Sequence, residues 1–240
     1  MKLFFLLLCI TSSLFFTNAC VTVSKDGKPV TNDTTKTNDT TKMQKELAEA
    51  LNEMKGDYAE LDYKRTDIIV KDIFAGDMTT IKSVLENPNN FEPPVLFAYA
   101  DQVFKAGQPD IAMFWYYTAQ LRARSDANKS YDKTVQLGVT KLSSNFGSDI
   151  GKYALDNLDA LERTMSKVVE WDKTAIRNYN PKWVAILGDE AKIGSKIRFR
   201  DPSEYEKVNN ATRDGWKQGF SAALKQLRTQ SKRKNNSQDE

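Results

Sequence analysis

Apolar residues recur every three or four positions along most of this chain, a spacing that places them on one face of an α-helix. The spacing predicts helices over residues 43–54, 78–86, 93–106, 111–121, 131–142, 155–171 and 203–231. Asp77 is the expected N-cap of the second helix, and Ser203 with Glu206 has the spacing of a capping box at the start of the last helix. The stretch 67–74 fits either a short strand or a helical turn. The predicted fold class is all-α.

Two of these helices form the best-defined unit, an antiparallel hairpin over residues 94–121. Pro93 and Pro94 suit the first turn of a helix, where a missing backbone N–H costs no hydrogen bond. The sequence GQPD at 107–110 predicts a tight turn before the second helix. That second helix is apolar almost all the way round, so we expect it to lie buried between neighbouring helices. The predicted architecture is a helical bundle of such antiparallel hairpins.

Residues 174–202 are the irregular part of the chain. Prolines and glycines interrupt the helical spacing there, at Pro181, Gly188, Gly194 and Pro202. The sequence KIRFR at 196–200 alternates in polarity as a strand does, so the prediction leaves room for one short β-hairpin in this loop. Long irregular segments inside a compact domain are commonly functional, which makes this segment a first place to look for a binding surface.

The first 19 residues have the layout of a secretory signal peptide: one early lysine, an apolar stretch, then small and polar residues up to Ala19. Cleavage after Ala19 makes Cys20 the new first residue. The window from Phe16 to Cys20 resembles a bacterial lipobox, although Thr17 stands where leucine is usual. Attachment of lipid to Cys20 is therefore the expected modification. Ordinary cleavage that leaves a free N-terminal thiol is the alternative.

Composition changes sharply after the cysteine. Residues 20–42 are predicted to form a lipidated cysteine and a flexible linker, because TNDTTK occurs twice in tandem at 31–42 and contains no apolar residue. The helical domain is predicted to cover residues 43–231. The polar residues 232–240 are predicted to form a disordered tail. A linker of this kind holds a tethered domain clear of a membrane surface.

Histidine is absent from the chain, which excludes Ser-His-Asp and Cys-His catalysis and histidine-ligated zinc. Cys9 lies in the leader and Cys20 is expected at the membrane, so we expect no thiolate chemistry, no metal and no cofactor. Without Lys2 the chain has 34 basic against 32 acidic residues, a balance that gives no long-range field for nucleic acid. Carboxylates are plentiful, so a glycosidase-like acid/base pair stays open, although no spacing singles one out.

Four side chains are candidates for contact with a protein partner: Tyr179, Trp183, Arg122 and Arg124. If they are exposed, Tyr179 and Trp183 are good interface anchors; covering the end of the helical core is the alternative. Arg122 and Arg124 diverge by about 200° on a helix and cannot form one patch alone. For these two a structural pair with a carboxylate is favoured, with the other arginine facing solvent or a partner.

The pattern A-x-x-W-Y-x-x-A at 112–119 follows a glycine-containing turn and resembles the second helix of Sel1-type and tetratricopeptide-type repeats. In those families alanines permit close approach and aromatic residues fill the gap between stacked hairpins. The resemblance covers residues 94–121 without a second good copy, so a bundle is expected rather than a solenoid. The string 114–124, followed by Asp132 and Lys133, is similar to an uncharacterised family of exported Gram-negative bacterial proteins. That similarity implies export to the cell envelope and says little about function.

Together these features predict a non-catalytic, protein-binding lipoprotein of the bacterial cell envelope. Val21 rather than aspartate follows the cysteine, which by analogy with enteric bacteria favours the outer membrane, facing the periplasm. One specific version is an immunity-type protein that neutralises a rival's toxin, an expectation from fold-level analogy. The alternatives are a carboxylate-dependent enzyme acting on an envelope polymer and a structural lipoprotein of envelope assembly.

Overall fold

The structure, a computed structural model, describes residues 55–194 and 196–236, with the backbone alone at 192–193 and 231–236. Within them the α-helices in chain order are α1 (Tyr63–Phe74), α2 (Met78–Glu86), α3 (Pro93–Lys105), α4 (Pro109–Lys129), α5 (Val135–Phe146), α6 (Ser148–Asp156), α7 (Leu158–Thr174), α8 (Glu190–Ile193) and α9 (Tyr205–Asn236). Short 3₁₀ segments cover Gly56–Glu60, Pro88–Asn90, Pro181–Leu187 and Pro202–Glu204. These described ranges contain no strand, and the all-α fold class is confirmed. The predicted signal peptide, Cys20, linker and helix 43–54 lie outside the described residues.

Helix α4 is the centre of the domain. It packs against α3, α5, α6, α7 and α9 and against the 3₁₀ segment Pro181–Leu187. Burial extends around the whole helix and includes polar residues such as Arg122 and Asp126 as well as the aromatic run 115–117. The expectation that the second helix of the hairpin lies between neighbours is therefore confirmed. Gly107 adopts a positive φ of 77° in the turn that joins α3 to α4.

Two of the three predicted helix starts agree with the structure. The Asp77 side chain accepts a hydrogen bond from a backbone N–H of α2, and Pro93 stands at the start of α3, so both of these predictions are confirmed. The capping box of Ser203 and Glu206 is wrong. Asp201 instead accepts a hydrogen bond from the Ser203 backbone N–H at 2.9 Å and opens a 3₁₀ turn, so that α9 begins only at Tyr205.

The region 131–174 contains three helices where the spacing predicts two. The gap between the predicted helices 131–142 and 155–171 is instead occupied largely by α6, with Gly147 separating α5 from α6 and Asn157 separating α6 from α7. A side chain at Gly147 would overlap the Tyr116 hydroxyl, so only glycine fits at the break between α5 and α6. The ambiguous stretch 67–74 is helical and belongs to α1.

The predicted β-hairpin at 196–200 does not form. In the described part of this segment, Phe199 makes one isolated antiparallel bridge with Ser130. The Arg200 backbone N–H donates to the Lys129 carbonyl at 2.9 Å. Because the segment pairs with the end of α4 rather than with a second extended chain, no hairpin can form there.

The polar C-terminal end of the chain also departs from the prediction. Residues 232–240 were expected to be disordered, but α9 continues through Asn236. The sequence 231–236 contains neither proline nor glycine, so nothing in it interrupts the helix that precedes it. The four residues that follow lie outside the described residues.

Candidate functional site

Tyr179 and Trp183, the aromatic candidates of the irregular segment, lie against the core. Trp183 is 4% exposed, and its Nε1 donates to Asp126 Oδ2 at 2.9 Å. The Tyr179 hydroxyl donates to the same oxygen at 3.0 Å. Asp126, on α4, is completely buried. Neither side chain is an exposed anchor, because both donate to Oδ2 of this buried carboxylate, while Lys129 donates to Oδ1. The alternative, that the pair covers the end of the helical core, is confirmed.

Arg122 is also unavailable to a partner, since its side chain is completely buried. Its Nε donates to Asp172 Oδ1 at 2.9 Å, and its guanidinium lies 4.5 Å from the centre of the Trp171 ring. The favoured interpretation, a structural pair with a carboxylate, is confirmed and the partner-binding role is wrong. Arg124 faces a different neighbour and lies half-buried, 5.7 Å from the ring centre of Trp216 on α9.

These contacts belong to one larger group, which we call the buried charge cluster. It comprises Arg122, Asp126, Lys129, Asp172, Arg177 and Arg213. Asp172 pairs with Arg177 at 2.7 Å and with Arg213 at 3.0 Å in addition to Arg122. The cluster therefore joins α4, α7, α9 and the loop after α7 in the interior of the domain. Charges in such a position are tolerated only when they are paired and hydrogen-bonded.

Within the cluster, burial and ion pairing shift the pKa values of the charged groups in opposite directions. Burial lowers the pKa of Lys129, because the interior disfavours its charged form more than Asp126 favours it. Burial alone would raise the pKa of Asp172, but the charges and hydrogen bonds of Arg177 and Arg122 outweigh burial and lower it. Asp172 therefore stays ionised in the folded protein at neutral pH. We conclude that the cluster is a structural device that holds the helices together.

An open groove lies on another side of Trp183. It is about 620 Å³ in volume and runs between α1, α3, α5 and the 3₁₀ segment Pro181–Leu187. We call it the acidic groove. Its apolar lining comes mainly from Val70, Phe74, Leu142, Phe146, Ile186 and Leu187. These side chains are half-buried or exposed, so the groove presents apolar surface to solvent.

Stacked phenylalanines form one wall of the groove. The rings of Phe74 and Phe146 lie 6.1 Å apart with their planes 8° from parallel, and the Phe97 ring also stacks with Phe146, at 5.7 Å. Phe97 is completely buried, whereas Phe74 is 41% exposed. The stack thus runs from the core to the surface.

Carboxylates surround this apolar surface. Those that line the groove are Glu60, Asp62, Asp67, Glu92 and Asp101. Burial raises the pKa of Glu92, and the negative charge of Asp62 raises it further, while the Thr66 hydroxyl donates a hydrogen bond to its carboxylate and opposes the shift. Among the described residues that line the groove, Lys105 is the one cation, and its Nζ lies 2.6 Å from Asp101.

Sequence reasoning missed the groove, because its walls come from segments far apart in the chain. Leu142 and Phe74 recur at helical spacing and are indistinguishable from core residues by pattern alone. The available signal was Glu92, a carboxylate between Phe91 and two prolines that start a helix. Among the described residues, no group of three or more Asp, Glu, His or Cys side chains is arranged to hold a metal ion.

Comparisons with known proteins found no family model, curated protein or solved structure that matches this chain. The resemblances at 94–121 and 114–133 therefore stay predictions from sequence motifs. Over the ranges that the structure describes, no helix combines the length and the apolar character needed to cross a membrane.

Proposed function

We propose that this protein is a lipoprotein anchored through Cys20 to the periplasmic face of the outer membrane, and that its helical domain binds another protein in the acidic groove. The signal-like leader, Cys20 and the linker at 20–42 support the location. The groove supports the binding function and is the observation that carries the proposal.

The groove has the physical character of a binding site. Its volume of about 620 Å³ falls within the range of ligand-binding clefts, and it combines apolar walls with a few polar groups. Partly exposed aromatic side chains such as Phe74 are enriched in the cores of protein interfaces. Covering this surface gains about 25 cal/mol for each Å² of apolar area removed from water.

Site-specific crosslinking tests the binding function. Leu142 lines the groove, whereas Leu137 on the same helix is 59% exposed outside it. We expect that a benzophenone amino acid at position 142 of the full-length protein, made in its own cells, crosslinks to one protein. The same group at position 137 is the matched control. No crosslink at 142, or the same products from both positions, would contradict the proposal.

Metabolic labelling tests the anchor separately. Growth with an alkyne analogue of palmitate is expected to label the wild-type protein and to leave Cys20→Ser unlabelled. Fractionation of the cell envelope should place the wild type with outer membranes. An unmodified N-terminus on the native protein would overturn the anchor without affecting the groove. The immunity-type version further predicts that the crosslinked partner is a toxin and that expression of this chain protects against it.

A second candidate function rests on Glu92. Its raised pKa and the neighbouring charge of Asp62 are the features expected of an acid catalyst in a cleft. This candidate, a carboxylate-dependent enzyme acting on an envelope polymer, predicts that purified protein releases soluble fragments from peptidoglycan and that Glu92→Gln abolishes the release. Glu170→Gln, an exposed change on α7, is the matched control. Equal fragment release by wild type and Glu92→Gln would eliminate it.

A further inference from the structure

We infer that the occupant of the acidic groove is an amphipathic helix of about three turns whose basic residues lie over the end of the groove that holds Glu92. The inference rests on the proposed binding function and specifies the chemistry of the partner. Its three supports are the length of the groove, its apolar wall and the uneven distribution of charge along it.

The length of the groove suits a short helix. On α1 the lining residues recur at helical spacing from Tyr63 to Phe74, and on α3 they extend from Pro94 to Lys105. Each span of eleven residue steps corresponds to about 16 Å at 1.5 Å per residue. A helix of about three turns has the same length and presents apolar residues at three- and four-residue intervals. An elongated groove between two helices is the usual receptor for such a ligand.

The two ends of the groove differ in charge. The Thr66 hydroxyl donates to Glu92, which places the start of α1 beside the start of α3. At the opposite end, Lys105 Nζ lies 5.7 Å from the Phe74 ring centre and pairs with Asp101. The second end is therefore neutralised within the lining.

The first end keeps a net negative charge. Glu60 and Asp62 are exposed there, and the half-buried Glu92 has a nearby cation, Arg65, which lowers its pKa. A cationic side chain placed over this end is attracted by the net negative charge of its carboxylates, whereas an anionic one is repelled. The groove is therefore complementary to a helix that is basic at one end and apolar along one face.

The chain itself supplies a competing occupant. Residues 43–54 precede the groove directly and have an apolar helical spacing, but they carry three glutamates and one lysine. This composition repels the acidic end of the groove and makes the segment a poorer match than a basic helix. A variant that lacks residues 43–54 tests this alternative directly.

Binding of a model peptide tests the inference. The probe is a fluorescein-labelled peptide of about 15 residues with leucine and lysine at helical spacing, and its matched control has glutamate in place of each lysine. Fluorescence anisotropy with the whole chain from residue 20, carrying Cys20→Ser, should show at least about tenfold tighter binding of the lysine peptide. The affinity should fall as salt rises from about 0.05 to about 0.5 M.

Two charge-reversed proteins locate the binding. Glu60→Lys with Asp62→Lys should weaken binding of the lysine peptide by at least about tenfold. Asp149→Lys with Glu170→Lys makes the same change in net charge at exposed positions outside the groove and should leave the affinity unchanged within about twofold. Circular dichroism confirms that each variant folds.

Three results would overturn the inference. They are equal binding of both peptides, an equal loss of affinity in both reversed proteins, and binding of the lysine peptide only after residues 43–54 are removed. The crosslinking at position 142 separates this failure from failure of the proposed function. A captured partner that contacts the groove through a segment without a basic helix would overturn the inference and leave the binding function standing.

Discussion

Two regions of this domain hold charged side chains in contrasting surroundings, and Trp183 contacts both. In the buried charge cluster, Asp172 is enclosed by three guanidinium groups and has no exposed side-chain surface. In the acidic groove, carboxylates such as Asp62 surround half-exposed apolar side chains and remain in contact with water. The ring of Trp183 lines the groove, and its Nε1 donates to Asp126 in the cluster.

The difference shows how the same residue types serve stability in one region and contact in the other. A buried ion has lost its water, so its partners must replace that water and any missing partner leaves an uncompensated charge. An exposed carboxylate keeps its water and contributes little to folding. It stays available to a cation that arrives with a partner. Substitutions in the cluster should therefore change the stability of the fold, and substitutions at the groove should change binding.

The largest expected effect is at Asp172. Asp172→Asn removes the negative charge on which Arg122, Arg177 and Arg213 converge, and it should lower the free energy of unfolding by about 3–5 kcal/mol. Urea denaturation followed by circular dichroism measures this change. Asp159→Asn is the matched control on the same helix, at a side chain that is 79% exposed, and should change stability little. Similar losses of unfolding free energy in the two variants would contradict the contrast between buried and exposed charges.

The second effect is a dependence of stability on pH that comes from Asp172. Burial opposes ionisation of Asp172, but Arg177 and Arg122 lower its pKa below the ordinary value. The folded protein therefore binds fewer protons than the unfolded chain near pH 4. The stabilisation is complete above the unfolded pKa of about 3.9 and is lost as pH falls through the folded pKa. Urea denaturation between pH 7 and pH 3 should give a shallower decline for Asp172→Asn, and parallel declines would contradict this assignment.

A smaller effect is expected at Lys129. Lys129→Met removes one donor from Asp126, whose carboxylate still accepts from Tyr179 and Trp183 and lies 3.5 Å from Arg177. The loss in unfolding free energy should be about 1–2 kcal/mol. Lys133→Met, at an exposed position, is the control. A loss as large as that of Asp172→Asn would show that the other donors do not compensate.

The smallest effect is expected at Glu92 in the groove. Burial raises its pKa, so the folded protein retains a proton above the unfolded pKa of about 4.3. Its stabilising contribution is present below that value and is lost as pH rises through the folded pKa. The free energy of unfolding of Glu92→Gln should therefore equal that of the wild type at pH 4 and exceed it at pH 7, by less than about 1 kcal/mol. Thermal unfolding at the two pH values measures this, and a variant less stable at pH 7 would contradict it.

Local signals predicted the helices well where a strong start or stop residue was present. Asp77 and Gly107 have the predicted roles, because capping and positive φ depend on a few adjacent residues. Helix α6 and the break at Asn157 that follows it were not predicted. The need for glycine at position 147 comes from Tyr116 on another helix, which local spacing does not contain.

The candidate site was predicted less well, for a related reason. A carboxylate partner for one of the two central arginines was predicted from residue type, but its identity as Asp172, on α7, depends on how the helices pack. For Tyr179 and Trp183 the sequence left two roles open, exposed anchors or a cover over the end of the core, and the structure shows the second. The carboxylate that orients them is Asp126, which is 57 residues away from Trp183 in the chain.

The sequence by itself determined that this protein is helical and that α4 is buried among its neighbours, because apolar periodicity is a property of short stretches of chain. It also excluded histidine chemistry, because composition is a property of the whole chain. The tertiary structure decided which charged residues became a closed cluster and which surround an open groove. Whether a charged residue is enclosed or exposed depends on contacts between segments that are distant in the chain. A buried aspartate without a partner lowers the stability of the fold, whereas a solvent-exposed aspartate stays hydrated and available to a cationic partner.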